Sequence, residues 1–264
     1  MDIKLLDYIL KIIEALFYIS TGIVALLTYL SARKTILQPI KAEVFKKQVE
    51  VFTSIMDLFN GKSEYEIRNA FGFDTMIKAN IFNLLDDYAR TFFDINIDPD
   101  KRPYNKKDCP TSLVTSEFAE RYFITVTFPT ENQDNDEGET QSTVTKEDYW
   151  NDYIYGEICQ PNSAVKMMSQ LDEIMKSPFL TSESVQLLSK IKETVEENIL
   201  KIGEVLTTVA KDLPKICPDI DSLKTLPLAS IENKYNEIFT PIEPYCSNLT
   251  DYLRKYFKVE SIME

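Results

Sequence analysis

ALFYISTGIVALLTYLSA, residues 15–32, carries no charged side chain and is bounded by Glu14 and Arg33. As a helix rising ~1.5 Å per residue it reaches roughly 27 Å, close to the ~30 Å hydrocarbon core of a bilayer. Tyr18 and Tyr29 lie near its ends, where interfacial aromatic rings are favoured. The stretch therefore predicts a transmembrane helix beginning at about Ala15. Residues Leu5 to Ile13 extend the apolar pattern, interrupted by Asp7 and Lys11. A cleaved signal peptide fits less well. Its leading segment should be basic, but here Asp2, Asp7 and Glu14 face Lys4 and Lys11, and no A-x-A site follows. A buried core helix of a soluble domain is the remaining alternative, and burial distinguishes it from a span.

Basic residues flanking the stretch set its expected orientation. Lys4 and Lys11 precede it, and Arg33, Lys34, Lys41, Lys46 and Lys47 follow it. The excess after the span predicts that the N-terminus lies outside and the long C-terminal part in the cytoplasm. Arg33, Lys34, Lys41, Lys46 and Lys47 are also candidates for contact with anionic lipid headgroups, at about 1 kcal/mol each near the surface. Within the stretch, Thr21, Ala25, Thr28 and Ala32 recur at helical spacing, with Ala15 at its start. Such a stripe of small residues lets two membrane helices approach closely, which predicts a homo-oligomer.

Composition narrows the chemistry. The chain has 264 residues, a net charge of −13 and no histidine. Without histidine there is no Ser-His-Asp or Cys-His pair and no His-containing zinc or haem site. The acidic balance argues against nucleic acid as a partner, because that needs a basic footprint. Cys109, Cys159, Cys217 and Cys246 are too far apart for a zinc knuckle or a redox motif, and read as free thiols in a reducing compartment. With six glycines in the whole chain, phosphate-cradling loops are not expected, and neither a Walker A loop nor Gly-x-Gly-x-x-Gly is present. The run Asp134-x-Asp136-x-Gly138 lacks the helix-flanked frame and closing Glu of a calcium loop. Glu193, Glu196 and Glu197 form an acidic helix face without the Glu-x-x-His of a di-metal centre. The expectation is a protein without cofactor, metal or catalytic residue.

Past the anchor, the fold is expected to be mainly α with a small β-hairpin insertion. Pro39 should kink or restart the first helix, which should then end at Asn60-Gly61. Ser63 and Glu66 have the spacing of a capping box, and Asp74 is placed to cap an amphipathic helix running to about Phe93. RYFITVTF, residues 121–128, reads as a strand, with a second near Thr143–Thr145 and a disordered acidic loop between them. In the C-terminal part, Val185, Leu188, Ile191, Val195, Ile199, Ile202, Leu206 and Val209 make a near-heptad seam on a helix ended by Pro214. That seam can pair within the chain, as a bundle, or between chains, as a coiled coil. The expected organisation is an anchor at 1–34, a helical region ending in a strand at 35–128, the loop at 129–142 and a C-terminal bundle or coiled coil at 143–264.

The run Thr28-Tyr29-Leu30-Ser31-Ala32-Arg33-Lys34-Thr35, continuing through Leu37-Gln38-Pro39-Ile40 and Glu43-Val44-Phe45-Lys46, resembles a juxtamembrane pattern of uncharacterised bacterial single-pass membrane proteins. The resemblance covers about residues 15–60. Some proteins of that architecture are effectors or accessory subunits of anti-phage defence. It implies a class, an effector or partner subunit of the bacterial inner membrane; together with the small-residue stripe and the basic flank, the expectation is a non-enzymatic one that oligomerises, contacts lipid and binds a further protein. The alternative is a static scaffold recruiting a soluble partner.

Overall fold

The computed structural model describes residues 3–95, 98, 101, 109–122 and 145–257. Its first helix, α1, runs from Ile3 to Phe59 with Pro39 inside it. The helix does not restart at Pro39. Proline removes one backbone donor, and several intact turns on either side carry the helix through that loss. Asn60 donates its N–H to the carbonyl of Met56 at 2.8 Å, and Gly61 turns the chain away at φ 70°. That left-handed conformation costs glycine nothing sterically.

Two compact units divide the chain: Met1–Ser54 with Pro178–Leu180, and Ile55–Ser177 with Thr181–Glu264. In the first, the side-chain amide of Gln48 donates to the carbonyl of Phe179 at 3.2 Å.

The second unit is helical around α7, Ser182–Ile216. Packed on α7 are α3 (Phe73–Phe93), α5 (Lys146–Asn151), α6 (Asn162–Met175), α9 (Leu228–Ile238) and α10 (Glu243–Phe257). Two strands, β1 (Thr111–Val114) and β2 (Glu157–Gln160), pair antiparallel with Ser112 opposite Cys159, and β2 also packs on α7. Gly203 is where α7 meets that segment: a Cβ there would lie 2.9 Å from the carbonyl oxygen of Tyr155. The short helices α2 (Glu64–Ala70), α4 (Ser116–Tyr122) and α8 (Ile220–Lys224) complete the unit.

The near-heptad residues of α7 account for its central place. Leu188, Ile191, Val195, Ile199, Ile202, Leu206 and Val209 are all buried, and Val185 is partly so. Their stripe faces the chain's own α3, α9 and α10, which leaves it no surface for a second copy. The helix also continues past Pro214 to Ile216.

The small sheet differs from the expected hairpin. Arg121 and Tyr122 are the last residues of α4, not the start of a strand, and residues 123–128 lie outside the described residues. The Thr115 hydroxyl accepts from the Phe118 N–H at 3.3 Å and opens α4 there. Thr145 likewise caps α5 through the Asp148 N–H at 3.1 Å, while 143–144 and the acidic stretch 129–142 lie outside the described residues. The strands that do form have α4 and α5 between them, where only an acidic loop was expected. Asp74 sits in the first turn of α3, whose N-cap is Gly72. The capping box of α2 is present, with Glu66 accepting from the Ser63 N–H at 2.8 Å.

Candidate functional site

α1 exposes its apolar surface. Between Ile9 and Phe59 it contains a window of mean hydropathy 1.9 that is 0% buried, so it is long and apolar enough to cross a membrane. A core helix of a soluble domain would bury such a window. Ala15, Thr21, Ala25, Thr28 and Ala32 are all exposed. At 100° per residue the last four fall within an arc of about 60°.

The five basic residues do not share one face. Arg33, Lys34, Lys41 and Lys46 are exposed, whereas Lys47 is half-buried and pairs with Glu50 at 2.8 Å. Lys34 and Lys41 lie within about 20° of each other around the helix, and Lys46 lies about 140° from Lys41. The Lys47 ammonium is thus already paired within its own helix.

In the helical unit, the polar groups that organise structure are ones the sequence reading did not single out. Asn80 of α3 is fully buried. Its amide nitrogen donates to the carbonyls of Met76 at 2.7 Å and Cys159 at 2.9 Å. Its amide oxygen accepts from the Tyr155 hydroxyl at 2.7 Å and the Cys159 N–H at 2.9 Å. All four capacities of the side chain are thus met, and they tie β2 to α3. Asn198 of α7 does the same for the turn before α10. It donates to the Thr240 carbonyl at 2.8 Å and accepts the Thr240 N–H at 2.9 Å. Both asparagines had a legible signal: Asn80 lies between Ile77 and Leu84, and Asn198 between Val195 and Ile202, on the apolar stripes of their helices.

Glu64 joins the two ends of this unit. Its Oε2 accepts the backbone N–H groups of Ile242 at 2.8 Å and Glu243 at 2.7 Å, at the start of α10. A carboxylate is favoured there because the first N–H groups of a helix have no partner within it. Its other oxygen, Oε1, is buried and makes no hydrogen bond among the described residues.

The reactive side-chain types are held in quiet forms. All four cysteines are free thiols and buried. Burial, helped by the nearby Glu64 and Glu243 carboxylates, pushes the Cys246 thiol up to about 12. Burial also raises Cys217 and takes Tyr88 up to about 12. The Tyr153 hydroxyl donates to Asp87 Oδ2 at 2.7 Å, and burial with that carboxylate keeps it protonated. A thiolate or phenolate nucleophile is therefore disfavoured at these positions. Among the described residues there is no cluster of three His, Cys, Asp or Glu side chains placed to hold a metal ion.

What the arrangement offers is a self-contained helical unit, internally stapled by Asn80, Asn198 and Glu64, and a separate apolar helix surface on α1. The chain matches no known protein family, no curated protein and no solved structure.

Proposed function

We propose that the chain is a single-pass membrane effector or partner subunit rather than an enzyme, anchored by α1 with its helical unit in the bacterial cytoplasm. The observation that carries this reading is the exposure of the apolar surface of α1, including Leu16, Phe17, Ile19, Val24 and Leu26 at 59–64%. Burying such side chains in lipid is worth roughly 1.5–3 kcal/mol each. The positive flank from Arg33 onward supports the orientation. The resemblance of the juxtamembrane run supports a role in anti-phage defence. A partner protein or signal would act on the helical unit. The response would be self-association of spans and perturbation of the membrane.

The test is inducible expression in bacteria with a membrane-potential dye, comparing the wild type with Leu26→Arg. Depolarisation by the wild type and not by Leu26→Arg is expected. A wild type that leaves the potential unchanged, alone and with its genomic neighbours co-expressed, would overturn the effector reading.

The second reading is a static scaffold. It is favoured by the closed core around α7, which packs among α3, α5, α6, α9 and α10. Under it, exchanging residues 1–34 for an unrelated span preserves function. Under the effector reading the exchange abolishes it.

A further inference from the structure

The apolar residues of α1 keep a strict seven-residue period across the point where the helix would leave the membrane. Ile9, Leu16, Ile23, Leu30, Leu37 and Val44 follow one another at intervals of seven, and Ile12, Ile19, Leu26 and Ile40 fall three residues after four of them. All ten are exposed, from 39% at Leu37 to 60% at Leu16 and Ile19. A bilayer accounts for an apolar surface up to about Ala32, but not for a seam that continues through Leu37, Ile40 and Val44. The seam also stops at a definite place. Lys47 takes the next position, turned to Glu50 at 2.8 Å, and from there Phe52, Ile55 and Phe59 are buried.

We infer that the occupant of this seam is a second copy of the chain, packed in parallel and in register from Ile9 to Val44. The inference rests on the membrane-anchored reading above, because insertion in one orientation is what makes the two copies parallel. A period of seven along a helix of 3.6 residues per turn drifts by about 20° per heptad, and a left-handed supercoil removes that drift only against a partner with the same repeat. Identical chains in register satisfy this at every layer.

The flanking positions are compatible. At the flanking positions, Tyr29 meets Lys34, Ile36 meets Lys41 and Glu43 meets Gln48, so no like charges face each other there; the inner position Arg33 faces its own copy. Arg33, the one charged residue in the repeat before Lys47, sits where its long side chain reaches the headgroups. Within the bilayer the contact rests on close side-chain packing, because lipid tails are as apolar as the seam. Leu37, Ile40 and Val44, beyond the uncharged stretch, add apolar surface removed from water. The seam lies about 170° around the helix from Thr21, Ala25, Thr28 and Ala32. Those small residues then face lipid or a further copy, and not the primary contact.

The experiment is disulfide trapping of the full chain in native membranes. Leu37→Cys and Val44→Cys lie on the seam, Thr28→Cys and Ala32→Cys on the small-residue stripe, and Ala42→Cys opposite the seam outside the apolar stretch. The native cysteines are all buried, so the parent chain sets a low background under copper-phenanthroline oxidation. The expected result is a cross-linked dimer at least about fivefold above the parent for Leu37→Cys and Val44→Cys, and at parent level for Ala42→Cys. Cross-linking through Thr28→Cys and Ala32→Cys alone would move the contact to the stripe, sinking the seam while sparing self-association. Equal cross-linking at all five positions would mean collision in the bilayer and would also overturn the seam. No cross-linking anywhere would overturn both the seam and the oligomeric part of the proposed function.

Discussion

The indole N–H of Trp150 donates to the carbonyl of Ala210 at 2.7 Å, the one carbonyl of α7 that Pro214, lacking an N–H, cannot serve. A proline four residues on leaves that acceptor orphaned inside a packed helix, and Trp150 is fully buried beside it. The ring is further fixed by stacking on Tyr153 and by edge contacts with Tyr88 and Phe92.

Trp150→Phe should keep most of the packing and leave the Ala210 carbonyl unpaired, costing about 1–3 kcal/mol. Pro214→Ala would supply the missing backbone donor. The double variant should therefore lose less than Trp150→Phe alone. Urea unfolding followed by circular dichroism measures both. Equal losses in single and double variants would mean that the hydrogen bond is not what the tryptophan contributes.

Asn80→Leu removes an amide making four hydrogen bonds and leaves the Cys159 N–H and carbonyl and the Tyr155 hydroxyl without it. A loss of about 3 kcal/mol or more is expected, with exchange of the β1–β2 amides speeding up first. A change under about 0.5 kcal/mol, the range of an ordinary surface substitution, would show that Asn80 is dispensable to the sheet.

Glu64→Gln keeps the shape of the side chain but removes the charge at the start of α10. Its cost should be about 1 kcal/mol, and amide exchange should rise at Ile242 and Glu243 while α3 is untouched. A uniform rise over the whole unit would point to a global effect instead.

Stability should fall at both extremes of pH. Glu66 and Asp219 are held below their ordinary values by hydrogen bonds from the backbone and side chains of Ser63 and Ser222 respectively. Their folded values are depressed, so their contribution is complete above the ordinary values of 4.5 and 3.8 and fades as pH falls below them. Cys246 and Tyr88 behave oppositely. Each is raised to about 12, from 9.0 and 10.0, by burial. The unfolded chain loses those protons first, so stability should decline between about pH 9 and 12. A thermal-melting profile that stays flat across that alkaline range would contradict the burial of these groups.

Much of the helical architecture could be read from spacing. α7 announces itself through Leu188 to Val209, because a long amphipathic stripe is a periodic signal that survives in a single sequence. What it faces is a different matter. The same stripe suits an internal bundle or a second chain, and only the placement of α3, α9 and α10 decides between them. The strands were illegible for the opposite reason. Thr111–Val114 and Glu157–Gln160 have four residues each, too few for a period, whereas the β-branched RYFITVTF draws the eye to a segment whose first two residues close α4. There the local hydrogen bond from the Phe118 N–H to Thr115 and the grip of Arg121 on the Asp152 carbonyl at 2.6 Å outweigh β propensity. Asn80 and Asn198 could have been flagged as polar residues on apolar stripes, but their partners, about 80 and 42 positions away in sequence, could not.

The central position of α7 also orders events at the ribosome. α1 precedes every other described helix and strand in the chain. α3 follows early, but two of the surfaces that close over α7, those of α9 and α10, lie C-terminal to it. The part of the α7 surface that α9 and α10 cover therefore stays open until translation has passed Phe257. A chain stopped within α9 would keep that apolar surface exposed, a target for chaperones and proteases.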